Sequence, residues 1–321
     1  MRSAAASFVT EMAMAHVPVL MPELVRVLDV DENSRVIDCT FGAGGHADAM
    51  AERLGSDGLL IACDRDPLAE DYYRELSRRW RCGSRFLRGN FADSLELLIE
   101  QGEIVTHIYM DLGLSSMQID TPERGFSYSY DAPLDMRMDP ALRTTAAEIL
   151  NTWPEAGLAD LFSRYGEERY SRRIARAVVA RRARTPYSHT CELVDTIKDA
   201  IPTPARFAAG NPARRVFQAL RIEVNGELES LARALPLAFD LLQSGGVLSV
   251  ISFHSLEDRM VKEFFTGKAK PCICPPDFPV CACGGKATGV VMTPKAVVPG
   301  PEELETNPRA ASARLRALRK L

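Results

Sequence analysis

The first third of the chain alternates short apolar runs with amphipathic stretches of helical period. The apolar runs predict strands over residues 35–39, 59–64, 84–88 and 107–111, and the intervening stretches predict helices around 45–54, 67–80 and 92–101. Strands that alternate with helices in this way are typical of a parallel, doubly wound sheet. We therefore expect an α/β fold.

The pattern changes near Thr145, where strand-like runs stop and a segment of helical periodicity, rich in Arg and Ala, begins. An amphipathic helix is predicted over about 212–242, with Pro236 as a candidate break point, and a strand pattern returns at 246–252. The chain is expected to end in a short basic helix. The simplest organisation is a disordered leader over 1–15, an α/β core formed by 16–140 and 211–321, and an all-helical domain inserted over 141–210.

Composition limits the class of protein. With 321 residues, 46% of them hydrophobic, the chain can bury one large core or two smaller ones. The net charge of -4 gives no global basic character, so any contact with nucleic acid requires a local basic patch. Eight cysteines without a convincing signal segment indicate reduced thiols in a cytoplasmic protein, and no apolar run is long enough to span a membrane.

A glycine-rich turn follows the first predicted strand. Gly42-Ala-Gly44-Gly45-His46 precedes a helix, an arrangement in which backbone N–H groups approach a ligand closely. Asp64 ends the next strand, where a carboxylate can accept hydrogen bonds from both ribose hydroxyls. The same spacing also satisfies a permissive dinucleotide fingerprint, so an NAD-dependent oxidoreductase is a rival interpretation.

Two further strands end in residues suited to a ligand. Phe91 follows the third strand and could lie against an adenine face, although a single Phe at this place is equally typical of a core. Asp111 ends the fourth strand and is followed by Ser115 and Ser116. A carboxylate at the end of an apolar strand is costly unless it is paired or used, which favours a functional role for Asp111.

Long motifs carry a resemblance to a known family. They are Asp111-Leu-Gly-Leu-Ser-Ser-Met-Gln118, Glu123-Arg-Gly-Phe-Ser127, Pro133-Leu-Asp-Met-Arg-Met-Asp139, Tyr165-Gly-Glu-Glu-Arg169, the run 212–228 and Ile251-Ser-Phe-His-Ser-Leu-Glu-Asp-Arg259. This text resembles the ribosomal RNA small subunit methyltransferase H family, of the MraW type. The likeness extends from about His16 to Ala310.

The resemblance implies a class I S-adenosylmethionine-dependent methyltransferase core, Rossmann-like, with an inserted all-helical domain. It implies methylation of the exocyclic N4 of a cytidine in the decoding region of 16S rRNA, with the small ribosomal subunit as partner; a homodimer is left open. Where many relatives have His, this chain has Asn211, which we expect to cap the following helix. The family resemblance implies that S-adenosylmethionine is bound by Gly44, Gly45, His46, Asp64, Phe91, Asp111 and Gln118.

An exocyclic amine is a poor nucleophile because its lone pair is delocalised into the ring. A hydrogen-bond acceptor on the amine N–H would localise that pair and take the proton. Asp111, Ser115, Ser116 and His254 all follow predicted strands, and we assign the catalytic role to Asp111 and His254. For His254, a structural role in its loop is the alternative. The target cytosine is expected to be extruded from its stack.

The helical insertion contains a local basic patch. Between Arg164 and Arg184 there are eight arginines against two glutamates, and Arg206, Arg214, Arg215 and Arg221 extend the run. A solvated helical face is one explanation of such a run, and phosphate contact is the other. A noncatalytic RNA-binding assembly factor would use the same patch. The predicted RNA-binding residues are Arg169, Arg172, Arg173, Arg176, Arg214 and Arg215.

Four cysteines lie in the Pro- and Gly-rich tail at positions 272, 274, 281 and 283. Four thiolates suit a structural zinc ion, but one-residue spacing within each pair is shorter than zinc sites usually have. Cys272, Cys274, Cys281 and Cys283 are therefore either a structural zinc site or reduced loop thiols.

Overall fold

The structure is a computed structural model that describes residues 18–203, 211–271, 274 and 283–321. The leader predicted over residues 1–15 lies outside the described residues. The chain divides into two compact units. Met1–Gly113 and Glu229–Leu321 form the sheet unit, and Leu114–Leu228 forms the helical unit.

Within the described ranges, seven strands form one sheet in the order β3-β2-β1-β4-β5-β7-β6. The first five strands in this order are parallel, and β7 runs antiparallel between β5 and β6. The predicted doubly wound α/β sheet is confirmed. The strands are β1 (Arg35–Asp38), β2 (Leu59–Asp64), β3 (Gly83–Arg88), β4 (Val105–Asp111), β5 (Leu242–Ser252), β6 (Gly289–Val291) and β7 (Arg314–Lys320).

Helices connect the strands of the sheet unit and form the helical unit. Among the described residues, none of them combines the length and the apolar character that a membrane crossing requires. The helices are α1 (Met21–Leu28), α2 (Gly45–Ala51), α3 (Pro67–Leu76), α4 (Phe91–Glu100), α5 (Ser116–Ile119), α6 (Ala146–Thr152), α7 (Glu155–Arg164), α8 (Ser171–Arg182), α9 (Thr190–Ala200), α10 (Pro212–Asn225), α11 (Glu227–Leu241), α12 (Ser255–Ala269) and α13 (Pro301–Thr306). Short 3₁₀ turns occupy Ser77–Arg79, Pro122–Arg124 and Pro308–Ser312.

Polar residues at the carboxyl ends of the strands begin the helices that follow. The side chain of Asp66 accepts a hydrogen bond from the Leu68 N–H at the start of α3, and Asn90 accepts one from the Ala92 N–H at the start of α4. Each such cap contributes about 1 kcal/mol to helix stability. Caps at this edge fix where each chain segment turns away from the sheet.

The long helix predicted over 212–242 is wrong in one respect, because the structure has two helices there. Gly226 separates α10 from α11 and adopts a left-handed conformation with φ +58°. That conformation favours glycine, which has no Cβ to clash, and so the break falls there. Pro236 lies inside α11 and does not end it. Asn211 caps α10 as predicted, by accepting a hydrogen bond from the Ala213 N–H at 3.0 Å.

The predicted basic helix at the end of the chain is also wrong, since residues 314–320 form β7. Leu315, Ala317 and Leu318 are buried there, and the strand hydrogen-bonds to both β5 and β6. The spacing of apolar residues over 314–320 is compatible with a helix or a strand. Pairing with β5 and β6 favours the strand. The ammonium group of Lys320 donates to the carbonyls of Phe239, Asp240 and Leu242 at the end of α11.

The helical unit is wider than the insertion predicted over 141–210. Leu134, Met136 and Met138 are buried in its hydrophobic core, so the segment before residue 141 belongs to it. Asn225 at the end of α10 donates to the Met136 carbonyl and accepts from the Met138 N–H at 2.7 Å. Among its described residues, the unit contains no strand beyond an isolated bridge between Pro133 and His189.

Replacing a buried leucine of β7 tests whether the end of the chain is part of the core. Leu318 is fully buried, so Leu318→Ala should lower the free energy of unfolding by about 2–4 kcal/mol through lost burial and the cavity left behind. Leu321 is 59% exposed, and Leu321→Ala should have little effect. Urea unfolding of both variants measures the difference. Equal effects would contradict the strand's place in the core.

Candidate functional site

The glycine loop after β1 has no room for a Cβ at Gly44 or Gly45. Gly42 and Gly44 adopt left-handed conformations, with φ +55° and +83°. A Cβ at Gly44 would collide with Leu76 Cδ1 and lie 2.6 Å from Phe41 Cζ, and one at Gly45 would collide with Pro18. Side chains are thus excluded here for two reasons, conformation and space. The loop leads directly into α2.

Asp64 at the end of β2 is held against this loop by two backbone donors. The Gly42 N–H donates to Asp64 Oδ2 at 2.7 Å, and the Asp66 N–H donates to Asp64 Oδ1 at 2.8 Å. Burial raises the pKa of Asp64 to about 6, although both hydrogen bonds act in the opposite direction. Each carboxylate oxygen has a second lone pair, so the oriented group can still accept hydrogen bonds from a ligand.

Asp111 at the end of β4 has an oxygen without a partner. Its Oδ1 atom is buried and has no hydrogen bond among the described residues. The backbone N–H of Asp111 donates to Thr40 Oγ1 at 2.6 Å, which ties the end of β4 to the loop after β1. Burial, together with the carboxylates of Asp38 and Glu257, raises the pKa of Asp111 well above its usual range.

His46 lies beside Asp111 in the first turn of α2. Its Nε2 atom is 3.0 Å from the Val19 carbonyl oxygen, and its Nδ1 atom is 3.5 Å from Asp111 Oδ2. The side chain is only 7% exposed, and burial lowers the pKa of His46 to about 4. The imidazole is therefore neutral near pH 7.

Asp38 and Tyr109 form a buried pair that the sequence interpretation missed. The Tyr109 hydroxyl donates to Asp38 Oδ2 at 2.7 Å, and the Thr40 N–H donates to Asp38 Oδ1 at 2.9 Å. Burial raises the pKa of Asp38 to about 7. The sequence does show that Asp38 lies at the end of a predicted strand, as Asp64 and Asp111 do, and this could have marked it as a site residue.

Phe91 and Asn90 lie at the start of α4. The Phe91 side chain is half-buried and packs against the core of the sheet unit, which agrees with the core alternative. Asn90 donates from Nδ2 to Ser230 Oγ at 2.7 Å. Contact of Phe91 with an adenine stays a prediction.

His254 closes a capping box at the start of α12. The Glu257 N–H donates to His254 Nδ1 at 3.3 Å, and the Phe253 N–H donates to Glu257 Oε2 at 2.8 Å. Nε2 of His254 lies 3.1 Å from Glu257 Oε1. This arrangement agrees with a structural role, and the catalytic role of His254 stays a prediction.

Gln118 and the predicted RNA-binding arginines lie in the helical unit. Gln118 is buried, and its Oε1 accepts a hydrogen bond from the Ser115 N–H at 3.2 Å. Arg176 lies 3.7 Å from Glu155 in an exposed ion pair that contributes little stability. Arg215 lies 3.8 Å from Glu168, whose side chain is buried. All six predicted arginines are exposed: Arg169, Arg172, Arg173, Arg176, Arg214 and Arg215.

Other members of the basic run hold the helical unit together. Arg181 pairs with Glu192 at 3.0 Å, and Arg221 binds Glu227 through two hydrogen bonds of 2.8 Å. Arg206 lies outside the described residues, as do Cys272 and Cys281 of the proposed zinc site. Cys274 and Cys283 are described and form no disulfide.

The fold and the site together define a class of protein. Parallel strands in the order 3-2-1-4-5 with an antiparallel β7 beside β5, a glycine loop after β1 and a carboxylate after β2 are the features of a class I S-adenosylmethionine-dependent methyltransferase. S-adenosylmethionine suits the residues present. Its ribose suits the oriented Asp64, and its positive charge suits the buried, unpartnered Asp111 oxygen.

Comparison with known proteins gives the family. Residues 13–321 match the model of the MraW methylase family. Ribosomal RNA small subunit methyltransferase H of Heliobacterium mobile is 46% identical over 97% of this chain and 100% of that protein, and its namesake from Syntrophobacter fumaroxidans is 47% identical over 96% and 97%. The chain therefore belongs to the MraW methylase family, and the oxidoreductase alternative is set aside. A solved rRNA methylase from Streptococcus thermophilus aligns over 94% of this chain and 93% of that chain, with 12% identity and a TM-score of 0.41.

Two glycines with the same backbone conformation separate conformational strain from lack of space. Gly44 and Gly102 have φ +83° and +71°, but a Cβ at Gly102 would meet nothing within 4 Å. Gly44→Ala and Gly102→Ala should each cost about 1 kcal/mol of stability through strain, and Gly44→Ala should cost more because its Cβ also collides with Leu76 and Phe41. Gly44→Ala alone should also weaken S-adenosylmethionine binding by roughly tenfold or more, a loss of about 1.4 kcal/mol. Calorimetric titration measures both variants, and an unchanged affinity in Gly44→Ala would refute the role of the loop.

Proposed function

We propose that the protein transfers a methyl group from S-adenosylmethionine to the exocyclic N4 of a cytidine in 16S rRNA of the small ribosomal subunit. Relatives at 44–47% identity carry the name ribosomal RNA small subunit methyltransferase H, which supports an rRNA substrate. The single observation that carries the chemistry is Asp111. Its buried Oδ1 has no hydrogen-bond partner in the part of the chain that the structure describes, and its carboxyl group has a raised pKa.

The cytosine amine requires a group that accepts its proton during the transfer. A carboxylate of raised pKa is a stronger base than an ordinary aspartate, and it is matched more closely to a proton that leaves near neutral pH. Asp111 is fixed from both sides, by its N–H bond to Thr40 and by His46 beside Oδ2. When bound, S-adenosylmethionine supplies the methyl group on a positively charged sulfur. Asp111 accordingly serves as the proton acceptor.

His254 supports the site in a different way. Its Nδ1 lone pair already accepts the Glu257 N–H, and Nε2 lies 3.1 Å from Glu257 Oε1, a contact that requires the proton to be on Nε2. Neither nitrogen then offers a lone pair to the amine. We assign His254 to positioning the loop after β5, together with Glu257, which accepts hydrogen bonds from the N–H groups of Phe253 and His254.

The helical unit supplies the contacts to RNA phosphates. Arg172, Arg173 and Arg176 fall within two turns of α8 and are all exposed, which suits a backbone of regularly spaced charges. The exposed ion pair of Arg176 with Glu155 can be exchanged for a phosphate contact at small cost. An extruded cytosine would let the amine reach the acceptor.

Methyl transfer to unmodified RNA tests the proposed reaction. The protein is incubated with methyl-labelled S-adenosylmethionine and either unmodified small subunits or naked 16S rRNA, and the labelled nucleoside is then identified and mapped. We expect N4-methylcytidine at one position. Asp111→Asn should lower turnover by about 10²–10⁴-fold, because the amide cannot take the proton.

A matched control for Asp111→Asn is Asp93→Asn. Asp93 is an aspartate of the sheet unit that is 63% exposed and pairs with the exposed Arg233, so turnover should be unchanged. Label on another base, or on a ring carbon, would overturn the assignment to N4. Absence of any transfer with donor bound would favour the noncatalytic assembly factor.

Separate variants distinguish donor binding from RNA binding. Asp64→Ala should weaken donor binding and leave RNA affinity nearly intact, because its carboxylate accepts hydrogen bonds from Gly42 and Asp66 of the sheet unit, away from the basic helical unit. Replacing Arg172, Arg173 and Arg176 by Gln should do the reverse. It should also reduce the log–log salt slope of RNA binding by about two to three, since roughly one counterion is released for each phosphate contact.

The control for the arginine variant removes the same charge elsewhere. Arg26, Arg74 and Arg78 are exposed arginines of the sheet unit with local acidic partners. Changing all three to Gln should leave the salt slope unchanged. If both triple variants lowered RNA affinity equally, the effect would be one of net charge and the assigned surface would be wrong.

A further inference from the structure

In the site proposed for the methyl donor, two hydrogen-bond acceptors face each other: His46 Nδ1 and Asp111 Oδ2. The Val19 carbonyl oxygen carries no proton, so the bond of 3.0 Å to His46 Nε2 requires the proton to be on Nε2. His46 Nδ1 then has a lone pair, and it lies 3.5 Å from Asp111 Oδ2. An ionised carboxylate opposite a lone pair repels it. A proton between the two atoms turns the contact into an attraction.

We propose that Asp111 and His46 hold one proton between them in the donor-free protein and that a cationic methyl donor displaces it. His46 is then a positioning residue that acts through Asp111. The inference rests on the proposed function, because it uses the same donor and the same proton acceptor. It adds His46 as a second residue that shares the proton which Asp111 takes from the amine.

The surroundings of the pair decide which atom holds the proton. Within the sheet unit, Asp111 is faced by Asp38 of β1, Tyr109 of β4, His46 of α2 and Glu257 of α12. None of these groups is a cation at neutral pH. Burial raises the pKa of Asp111 and lowers that of His46, so the neutral pair with the proton on Asp111 is favoured. With Oδ2 turned to His46, the unpartnered Oδ1 remains an acceptor.

A positive charge beside Asp111 reverses this preference, because it stabilises the carboxylate by Coulomb attraction. The proton then leaves to solvent. During transfer the amine nitrogen forms the new N–C bond, and the S–C bond breaks with its electron pair remaining on sulfur. The positive charge is now on the amine, whose N–H proton passes to Asp111. The pair regains one proton for the one that it released.

Proton counting by calorimetry tests the inference on the full chain. S-adenosylmethionine and the neutral product S-adenosylhomocysteine are each titrated in buffers of different ionisation enthalpy near pH 7. The two ligands share every ionisable group, so their difference reports the effect of the sulfur charge. We expect about one more proton released with S-adenosylmethionine than with the product. Equal proton counts would overturn the inference and leave the proposed function standing, whereas failure of both ligands to bind would overturn both.

Infrared difference spectra give a second readout without turnover. Adding S-adenosylmethionine should remove the C=O stretch of a protonated carboxyl group, and this change should be lost in Asp111→Asn. If the wild-type band does not change, Asp111 is not the group that releases the proton, and the inference fails.

His46→Gln separates proton sharing from anchoring. The glutamine Nε2 can still donate to the Val19 carbonyl, but no lone pair remains in the place of Nδ1. Protonated Asp111 then loses its acceptor, and the pH of half-maximal proton release should fall by about one unit. A purely structural role for His46 would lower thermal stability without moving that pH, and this result would contradict the proposal.

Discussion

Three aspartates that end neighbouring strands at one edge of the sheet are the constraint on which the candidate site depends. β2, β1 and β4 are neighbouring parallel strands, and each ends in aspartate: Asp64, Asp38 and Asp111. Like charges in a buried place raise one another's pKa and require donors. Backbone N–H groups and the Tyr109 hydroxyl satisfy the first two, whereas Asp111 has an oxygen left over. In the proposed reaction, the positive charge of S-adenosylmethionine supplies the partner that this oxygen lacks among the described residues.

The parallel part of the fold could be predicted because its information is local. Apolar runs, glycines and caps mark each strand and turn, and the strand ends placed Asp64 and Asp111 correctly. The second half of the sheet depends on pairing between distant segments. The sequence at 314–320 suits a helix until β5 and β6 are present as partners. The helix break was expected near Pro236, which lacks a backbone N–H, but it lies at Gly226. Gly226 has a left-handed conformation that ends α10, whereas α11 continues through Pro236.

The positions of the candidate site residues in the fold could be predicted from the sequence, but their hydrogen-bond partners could not. Spacing led to the glycines, Asp64 and Asp111, while His46 and Gln118 depended on the family resemblance. Asp38 was visible as a strand end, but its bond to Tyr109 joins two strands and has no signature in either. The tautomer of His46 is likewise set by a carbonyl in a preceding loop. A single sequence does not show which distant segments supply the hydrogen-bond partners of a residue.

The discontinuous sheet unit has a consequence for biosynthesis. β4 and β5 are hydrogen-bonded neighbours, yet the whole helical unit lies between them in the chain. Domains fold as units while the chain is being made, and pairings of large sequence separation form slowly. The nascent chain therefore carries four strands with the inner edge of β4 unpaired until β5 has emerged from the ribosome. During that interval the exposed edge can pair wrongly with another polypeptide, so this stage of translation is where a chaperone would matter most.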